Sequence, residues 1–203
     1  MPDFSLQVAL TQITQALAEQ GWLVLPKFFP TNHVQALRAQ ALSAWQAGEF
    51  HPAAIGQGAN KLQNFDIRND SVLWLESAQG EAVAYYLDFL EQLRLALNSE
   101  LFLGVFESEA HFAVYPRASF YKKHLDNFRG RSTRLVTVIT YLNHAWQAED
   151  GGQLRLYTSN AAFIDIAPEA GSLVVFLSER FSHEVLPAQR ERLSVTGWLR
   201  RRS

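Results

Sequence analysis

Three residues of this chain have side chains that suit a shared metal ion. His124 and Asp126 form an H-x-D pair, and residues i and i+2 of an extended chain point to the same side. His183 follows the apolar run 172–177, and a strand of that kind can return to the same mouth of a β-barrel. Cysteine is absent, so a metal must be held by His, Asp or Glu. We therefore predict a metal site with His124, Asp126 and His183 as its ligands.

The donor types of this site indicate a metal and a co-substrate. Two imidazoles and one carboxylate leave three octahedral positions open, an arrangement typical of non-haem iron(II) oxygenases. Iron(II) needs those positions because a bidentate 2-oxo acid and O2 must both bind. Arg192 lies one predicted strand beyond His183, and its guanidinium can bind a distal carboxylate through two parallel hydrogen bonds. Tyr141 can add a hydroxyl donor from a facing strand. We expect iron(II), with 2-oxoglutarate and O2 as co-substrates.

The elements that must position these residues begin with helices. Leu6, Leu10, Ile13 and Leu17 recur at helical spacing, and Gly21 is placed to end that helix. A second helix begins with Thr31 or Asn32 as its N-cap and ends near Gly48. A third runs over residues 81–98. Residues 51–60 have the composition of a loop.

After the third helix the apolar pattern changes to a period of two, which favours short strands. The predicted strands are residues 110–115, 135–142, 153–157, 163–166, 172–177 and 194–199, preceded by one at 22–25. Helices followed by a dense run of strands, without a βαβ rhythm, indicate an α+β fold with an antiparallel barrel or a jelly roll. We expect one domain over residues 1–203, with a helical part (1–100) packed on the sheet and a core (101–203) that carries the catalytic motifs.

Composition narrows the possible partners. The formal net charge is -2 and the pI is near 6.3, so no overall field favours nucleic acid or an anionic membrane. No apolar run approaches the ~20 residues that a membrane span needs. The N-terminal segment lacks the basic start of a signal peptide. We expect a cytoplasmic protein; its oligomeric state is not indicated.

Several motifs give the chain a resemblance to a known family. They are Tyr115-Pro116, Tyr121-x-x-His124-x-Asp126-Asn127, Arg134-x-x-Thr137-x-x-x-Tyr141-Leu142-Asn143, Gly151-Gly152-x-Leu154-Arg155-Leu156-Tyr157, His183-Glu184-Val185 and Arg192-x-Ser194-x-Thr196-x-Trp198. Together they resemble the prolyl 4-hydroxylase-like branch of the iron(II)/2-oxoglutarate oxygenases. The chain is similar to hypoxia-inducible-factor prolyl hydroxylases and their bacterial relatives, some of which hydroxylate a proline of elongation factor Tu. Residues 66–75 look like the substrate-facing segment of that subgroup.

The resemblance implies a fold, an activity and further site residues. It implies a double-stranded β-helix, or jelly-roll, core and hydroxylation of prolyl C4 in a protein such as elongation factor Tu, with release of succinate and CO2 and with ascorbate as a supporting reductant. The residues implied to line the 2-oxoglutarate pocket beside Arg192 and Tyr141 are Tyr115, Ile139, Thr196 and Trp198. Those implied to face the protein substrate are Arg134, Ile67, Arg68, Asp70 and Trp74.

Two alternatives stay open at this point. The same oxygenase chemistry could act on another amino-acid side chain, a small molecule or nucleic acid. A dealkylase would carry a second arginine where this chain has Trp198, and the near-neutral charge also disfavours nucleic acid. In a different class, the chain could be a non-catalytic barrel that binds a metal or ligand and serves as an interaction module. Such a barrel has no need of the clamp formed by Tyr141 and Arg192.

Overall fold

The helices form where apolar residues recur with helical spacing. In the computed structural model of the protein, which describes residues 4–54, 64–127, 133–159 and 161–202, α1 spans Phe4–Glu19, α2 spans Thr31–Gln46 and α3 spans Glu81–Leu101. Gly21 follows α1 with a φ of 88°, a conformation that glycine adopts without strain. Short 3-10 helices lie at Ser77–Gln79 and Ala148–Asp150.

Two helix ends differ from the predictions. Thr31 is the first helical residue of α2, Pro30 is the N-cap, and no side chain caps the helix, so the predicted Thr31 or Asn32 cap is wrong. Proline with its restricted φ can lead into the helix, which leaves both polar side chains inside the first turn. The third helix runs past residue 98 to Leu101 and stops at Phe102, which has a left-handed backbone.

The strands form two antiparallel sheets. They are β1 (Trp22–Leu25), β2 (His51–Pro52), β3 (Ser71–Trp74), β4 (Glu107–Tyr115), β5 (Tyr121–His124), β6 (Arg134–Tyr141), β7 (Leu154–Tyr157), β8 (Phe163–Ile166), β9 (Leu173–Leu177), β10 (His183–Val185) and β11 (Arg192–Arg200). Over the described ranges, one sheet has the seven strands β1-β9-β6-β11-β4-β3-β2 and the other has the four strands β5-β10-β7-β8. This confirms the predicted α+β fold with a double-stranded β-helix.

Four strands were not predicted. β3, β5 and β10 are three or four residues long and lie outside the predicted strands, and each forms by pairing with strands that are distant in the sequence. β2 contradicts the predicted loop at 51–60, because His51 and Pro52 pair with Val72 and Ser71 of β3. Residues 55–60 of that predicted loop lie outside the described residues.

The two faces of the large sheet contribute side chains to two different apolar clusters. Val136, Val138 and Val195 point toward α1, α2 and α3 and join the apolar cluster beneath the helices. Ile139 and Tyr141, at alternating positions of β6, point instead into the space between the two sheets. The helices therefore support the large sheet from behind, and its other face is available for a site.

No helix in the described part of the chain is long and apolar enough to cross a membrane. The assignment of residues 1–203 to one domain stays a prediction.

Candidate metal centre and dicarboxylate pocket

The two candidate histidine ligands are direct neighbours across the small sheet. His124 is the last residue of β5 and His183 the first of β10, and the two are paired in the antiparallel register. Their ring centroids lie 4.3 Å apart. His124 also stacks on Tyr121, with 3.5 Å between the ring centroids. The fold thus brings two histidines that are distant in sequence to one point between the sheets.

Each histidine is oriented by a backbone carbonyl. Nδ1 of His124 lies 2.8 Å from the oxygen of Lys122, and Nδ1 of His183 lies 3.2 Å from the oxygen of Phe181. A carbonyl can only accept, so we assign the proton of each neutral ring to Nδ1. Each Nε2 then keeps its lone pair, and the two Nε2 atoms face the same carboxylate. This is the arrangement of metal-ligating histidines.

The carboxylate of Asp126 lies between the two imidazoles. Its Oδ1 is 3.7 Å from Nε2 of His124 and its Oδ2 is 3.6 Å from Nε2 of His183. These separations exceed hydrogen-bond length. One ligand atom from each of the three residues lies within 4.8 Å of the others. The strand ends at His124, so Asp126 reaches the site from the bend that follows and not from the extended strand that the H-x-D argument assumed.

The charge states of the triad suit a divalent metal. Burial by itself would raise the pKa of Asp126, but the imidazoles of His183 and His124 outweigh burial and hold that pKa well below its usual range. Burial, with a contribution from His124, lowers the pKa of His183 to about 4. At neutral pH the site therefore offers one carboxylate anion and a neutral His183, as metal ligation requires.

Arg192 is buried and lines the same cavity between the sheets as the triad. Its side chain is 2% exposed, and its Nε donates to the backbone oxygen of Gly152 at 2.9 Å. The guanidinium carbon is 5.0 Å from the ring centroids of both Tyr115 and Tyr141. Within the described residues no carboxylate pairs with Arg192. Burying a cation without a partner costs several kcal/mol, so this part of the cavity fits an anionic ligand.

Gly152 makes the approach of Arg192 to the backbone possible. Its φ is 68°, and a Cβ there would lie 2.9 Å from the Cβ of Ala188 and 3.3 Å from Cδ of Arg192. A larger residue would therefore push against the arginine side chain. The second glycine of the Gly151-Gly152 motif keeps that contact short.

Tyr141 lies behind the cavity wall with its hydroxyl unsatisfied. The side chain is fully buried, and its Oη has no hydrogen-bond partner among the residues that the structure describes. Burial raises the pKa of Tyr141 to about 12, and the nearby Arg192 offsets only part of that rise. The hydroxyl is thus a neutral donor beside a cation. A buried donor of this kind is available to a ligand carboxylate held by Arg192.

The cavity between the sheets extends from Arg192 past the triad to the surface. It has a volume of about 500 Å³, which includes space open to solvent. Predicted site residues that line it are His124, Asp126, His183, Arg192, Tyr115, Ile139, Thr196, Trp198, Arg134 and Arg68. Four others do not line it: Tyr141, Ile67, Asp70 and Trp74.

Two arginines at the mouth of the cavity are paired with carboxylates and stacked on rings. Arg68 donates to both oxygens of Asp70 at 2.8 and 2.6 Å, and its guanidinium lies 4.3 Å from the centroid of Tyr121. Arg134 donates to Oε1 of Glu109 at 2.9 and 3.0 Å and lies 3.4 Å from the centroid of a Trp198 ring. The mouth is therefore polar and aromatic without a strong net charge.

Sequence reasoning missed several residues of the site. His111 lines the cavity between Trp74 and Trp198, with ring centroids 5.2 and 5.3 Å away, and no role was predicted for it. Glu109 had no assigned role before the structure paired it with Arg134. No local signal marks either residue, because only the β4–β11 register places His111 opposite Thr196 and Glu109 opposite Trp198.

The residues present fit iron(II) and 2-oxoglutarate. The triad supplies two imidazole nitrogen donors and one carboxylate, the ligand set that suits non-haem iron(II). Arg192 and the Tyr141 hydroxyl supply donors for a distal carboxylate.

Comparisons with known proteins agree with this geometry. Residues 110–200 match the family described as the 2OG-Fe(II) oxygenase superfamily. A hypoxia-inducible factor prolyl hydroxylase of Caenorhabditis elegans is 30% identical over 95% of this chain. The chain spans between 28% and 59% of the length of the curated relatives that it matches.

Two solved structures resemble the whole chain. A prolyl-4-hydroxylase of Pseudomonas putida has 44% sequence identity and a TM-score of 0.88, covering 95% of this chain and 99% of its own. A prolyl hydroxylase of Trichoplax adhaerens, solved with a hypoxia-inducible factor peptide, has 28% identity and a TM-score of 0.86, covering 97% and 90%. On this sequence likeness, fold and site, the chain belongs to the prolyl 4-hydroxylase-like branch of the iron(II)/2-oxoglutarate oxygenase superfamily.

Proposed function

We propose that this chain is an iron(II)- and 2-oxoglutarate-dependent dioxygenase that hydroxylates C4 of a prolyl residue in a protein substrate. The observation that carries the proposal is the buried Arg192, which lacks a carboxylate partner in the described residues and lies in the same cavity as the His124–Asp126–His183 cluster. A dicarboxylate that reaches from the guanidinium to the metal ligands accounts for both features.

Each part of the site has a role in this reaction. Asp126, His124 and His183 hold the metal, and the carbonyls of Lys122 and Phe181 fix the orientation of the two imidazoles. Arg192 and Tyr141 bind the distal carboxylate, while Tyr115, Ile139, Thr196 and Trp198 enclose the co-substrate. When bound, iron(II) would activate O2, the oxidant: one oxygen atom would enter succinate as 2-oxoglutarate loses CO2, and the other would be inserted into the substrate C–H bond to give a hydroxyl group.

The residues at the cavity mouth favour a neutral, apolar target group. Arg68 and Arg134 are paired with Asp70 and Glu109, so neither guanidinium is available as an unpaired phosphate-binding group. Trp74 is 43% exposed beside the mouth and contacts the His111–Trp198 ring pair. A prolyl ring is uncharged and can pack on such rings. Ile67, Arg68, Asp70 and Trp74 belong to the segment that faces the protein substrate.

The similar proteins give the proposal its substrate class. The Pseudomonas putida relative is described as a prolyl-4-hydroxylase, and the Trichoplax adhaerens enzyme was solved with a peptide fragment of its hypoxia-inducible factor. For this chain we propose a prolyl-containing loop of a cytoplasmic protein, with elongation factor Tu as the first candidate. Ascorbate would support turnover by keeping the iron reduced.

The proposal is tested by mapping oxygen incorporation. The purified protein is incubated with iron(II), 2-oxoglutarate and elongation factor Tu, with and without ascorbate, and tryptic peptides are sequenced by mass spectrometry. We expect a one-oxygen gain on a single proline, matched by an equal amount of succinate and absent from Asp126→Ala. The matched control is Asp165→Ala, which removes a carboxylate on the outer side of β8 that pairs with Arg155.

The outcome separates the possible substrate classes. The enzyme is also incubated with a cell lysate. An oxygen gain on a proline of another protein would support prolyl hydroxylation and would identify a substrate other than elongation factor Tu. Gains on asparagine, aspartate or a nucleobase would overturn the prolyl assignment. Absence of succinate under all these conditions, with metal bound, would leave a non-catalytic binding barrel.

A further inference from the structure

Two buried hydroxyl groups lie behind the carboxylate of Asp126. Oγ1 of Thr137 donates to Oδ2 of Asp126 at 2.7 Å, and Oγ of Ser178 lies 2.8 Å from the same Thr137 oxygen. Thr137 and Ser178 are both 0% exposed. Neither is a candidate metal ligand, and the resemblance gives neither a role.

The direction of this hydrogen-bond chain follows from the chemistry of its members. The ionised carboxylate can only accept, so the single hydroxyl proton of Thr137 points to Asp126. The proton of Ser178 must then point to Thr137. Two donors in series polarise each other, which strengthens the bond that reaches the carboxylate.

Both hydroxyls are held in place by the large sheet and the chain segment next to it. Thr137 pairs with Phe176 of β9 and Trp198 of β11. The backbone N–H of Ser178 donates to the oxygen of Leu135 at 2.9 Å. Asn127, which follows Asp126, donates its backbone N–H to the oxygen of Ser178 at 3.3 Å. Asp126 and its hydroxyl partners are thus tied to one point on the end of β9, before any ligand binds.

We propose that Thr137, supported by Ser178, is a positioning residue that holds the Asp126 carboxylate so that it offers the metal one oxygen and not two. The inference rests on the proposed metal site and deepens it. A carboxylate that chelated the metal through both oxygens would take one of the three positions that a bidentate 2-oxo acid and O2 need. A hydrogen bond to Oδ2 fixes the carboxylate plane and engages one of its oxygens, which favours single-oxygen ligation.

The test uses cobalt(II) as the probe, because its binding and visible absorption can be followed without turnover. The variants are Thr137→Val, which removes the hydroxyl at constant shape, Thr137→Ser, which restores it, and Ser178→Ala. The matched control is Thr140→Val, on the same strand but on its opposite face, where the hydroxyl contacts Tyr86 at 3.3 Å. Cobalt affinity, the absorption spectrum and the affinity of the cobalt protein for 2-oxoglutarate are measured for each.

The expected results follow from the order of the hydrogen bonds, which run from Ser178 through Thr137 to Asp126. Thr137→Val should weaken cobalt binding by about 10-fold, as for other groups that orient metal ligands, and should change the absorption spectrum. It should also weaken 2-oxoglutarate binding to the cobalt protein. Thr137→Ser should return the cobalt affinity, the spectrum and the 2-oxoglutarate affinity to wild-type values. Ser178→Ala should lower the cobalt affinity by only roughly 3-fold, since it removes only the supporting donor.

The outcomes that would overturn the inference are distinct from failure of the metal site. Wild-type cobalt binding and an unchanged spectrum in a folded Thr137→Val would refute it. A Thr137→Ser protein that behaves like Thr137→Val would refute it too, because packing and not the hydroxyl would then matter. If Thr137→Val does not fold, Ser178→Ala is the deciding variant. A cobalt affinity of Ser178→Ala equal to that of the wild type would then count against the proposal. If Asp126→Ala also keeps cobalt, the metal site itself is wrong.

Discussion

His124 and His183 lie directly opposite each other across the antiparallel pair formed by β5 and β10. Opposed residues on one face of such a pair have their Cβ atoms about 5 Å apart, close enough for both imidazoles to reach one ion. A slip of one residue would turn one ring to the other face of the sheet. The candidate metal site therefore depends on the register of two very short strands, and a bound metal should in turn stabilise that register.

The first prediction concerns this coupling between metal and stability. A metal at 100 times its Kd stabilises a protein by ~2.7 kcal/mol, which raises the Tm of a chain of this size by roughly 5–10 °C. We expect manganese(II) to raise the Tm of the wild-type protein and EDTA to reverse the rise. Asp126→Ala should show no such effect, because two imidazoles alone bind the ion weakly. Differential scanning fluorimetry measures the Tm of each protein with manganese(II) and with EDTA. Asp165→Ala is the control and should show the same manganese-dependent rise in Tm as the wild type.

A second prediction concerns Arg192 as the anchor of the co-substrate. Arg192→Lys keeps the charge but loses the two parallel donors, so the KM for 2-oxoglutarate should rise by about 10- to 100-fold. Arg155→Lys is the control, since the half-buried Arg155 pairs with Asp165 and packs on Phe163, away from the cavity. Succinate formation at varied 2-oxoglutarate measures the effect. An unchanged KM in Arg192→Lys would remove Arg192 from the binding site.

Tyr141→Phe should have opposite effects on stability and on co-substrate binding. The hydroxyl has no partner within the described ranges, so its removal should stabilise the ligand-free protein by roughly 1 kcal/mol. The same change should weaken 2-oxoglutarate binding by about 3- to 10-fold, because a donor to the carboxylate is lost.

The control for Tyr141 is another buried tyrosine. Tyr86 contacts Thr140 through its hydroxyl, so Tyr86→Phe should destabilise the protein and leave 2-oxoglutarate binding unchanged. Urea unfolding gives the free energy of unfolding, and calorimetric titration gives the affinity for 2-oxoglutarate. Destabilisation of the ligand-free protein by Tyr141→Phe would show that the hydroxyl already has a partner.

A fourth prediction is a pH dependence that arises from His111. Burial, together with the positive charge of Arg68, lowers the pKa of His111 to about 4. Between pH 4 and the ordinary value near 6.5, the unfolded chain therefore binds more protons than the folded one, and stability falls as the pH is lowered. This contribution is present in full above about pH 6.5, and on the order of 3 kcal/mol is lost by pH 4.

The measurement compares His111→Leu with the wild type. The free energy of unfolding, measured in EDTA at several pH values, should fall less steeply below pH 6.5 in the variant. His183 contributes equally to both proteins and drops out of the difference. His51→Gln, at an exposed position of β2, should keep the wild-type slope. Parallel curves for His111→Leu and the wild type would show that folding does not lower the pKa of His111.

Much of the architecture is a local property of the sequence. Leu10, Ile13 and Leu17 repeat at the helical period and are buried on one face of α1, because local periodicity alone selects which side meets the core. The long strands β4, β6 and β11 also match predicted segments, although β4 begins earlier, β6 is shifted by one residue and β11 is longer at both ends. The candidate metal ligands and Arg192 are indicated by residue type and order, since few side chains can bind a metal or a carboxylate.

The tertiary structure decided the contacts that join distant segments. Nothing local indicates that Ser178 reaches Thr137, that Glu109 holds Arg134, or that His111 lines the cavity. Each depends on the register between strands far apart in the chain, and closure and packing of the two sheets select that register as a whole. The sequence by itself therefore determined which side chains can do the chemistry, and the fold determined which side chains hold them in position.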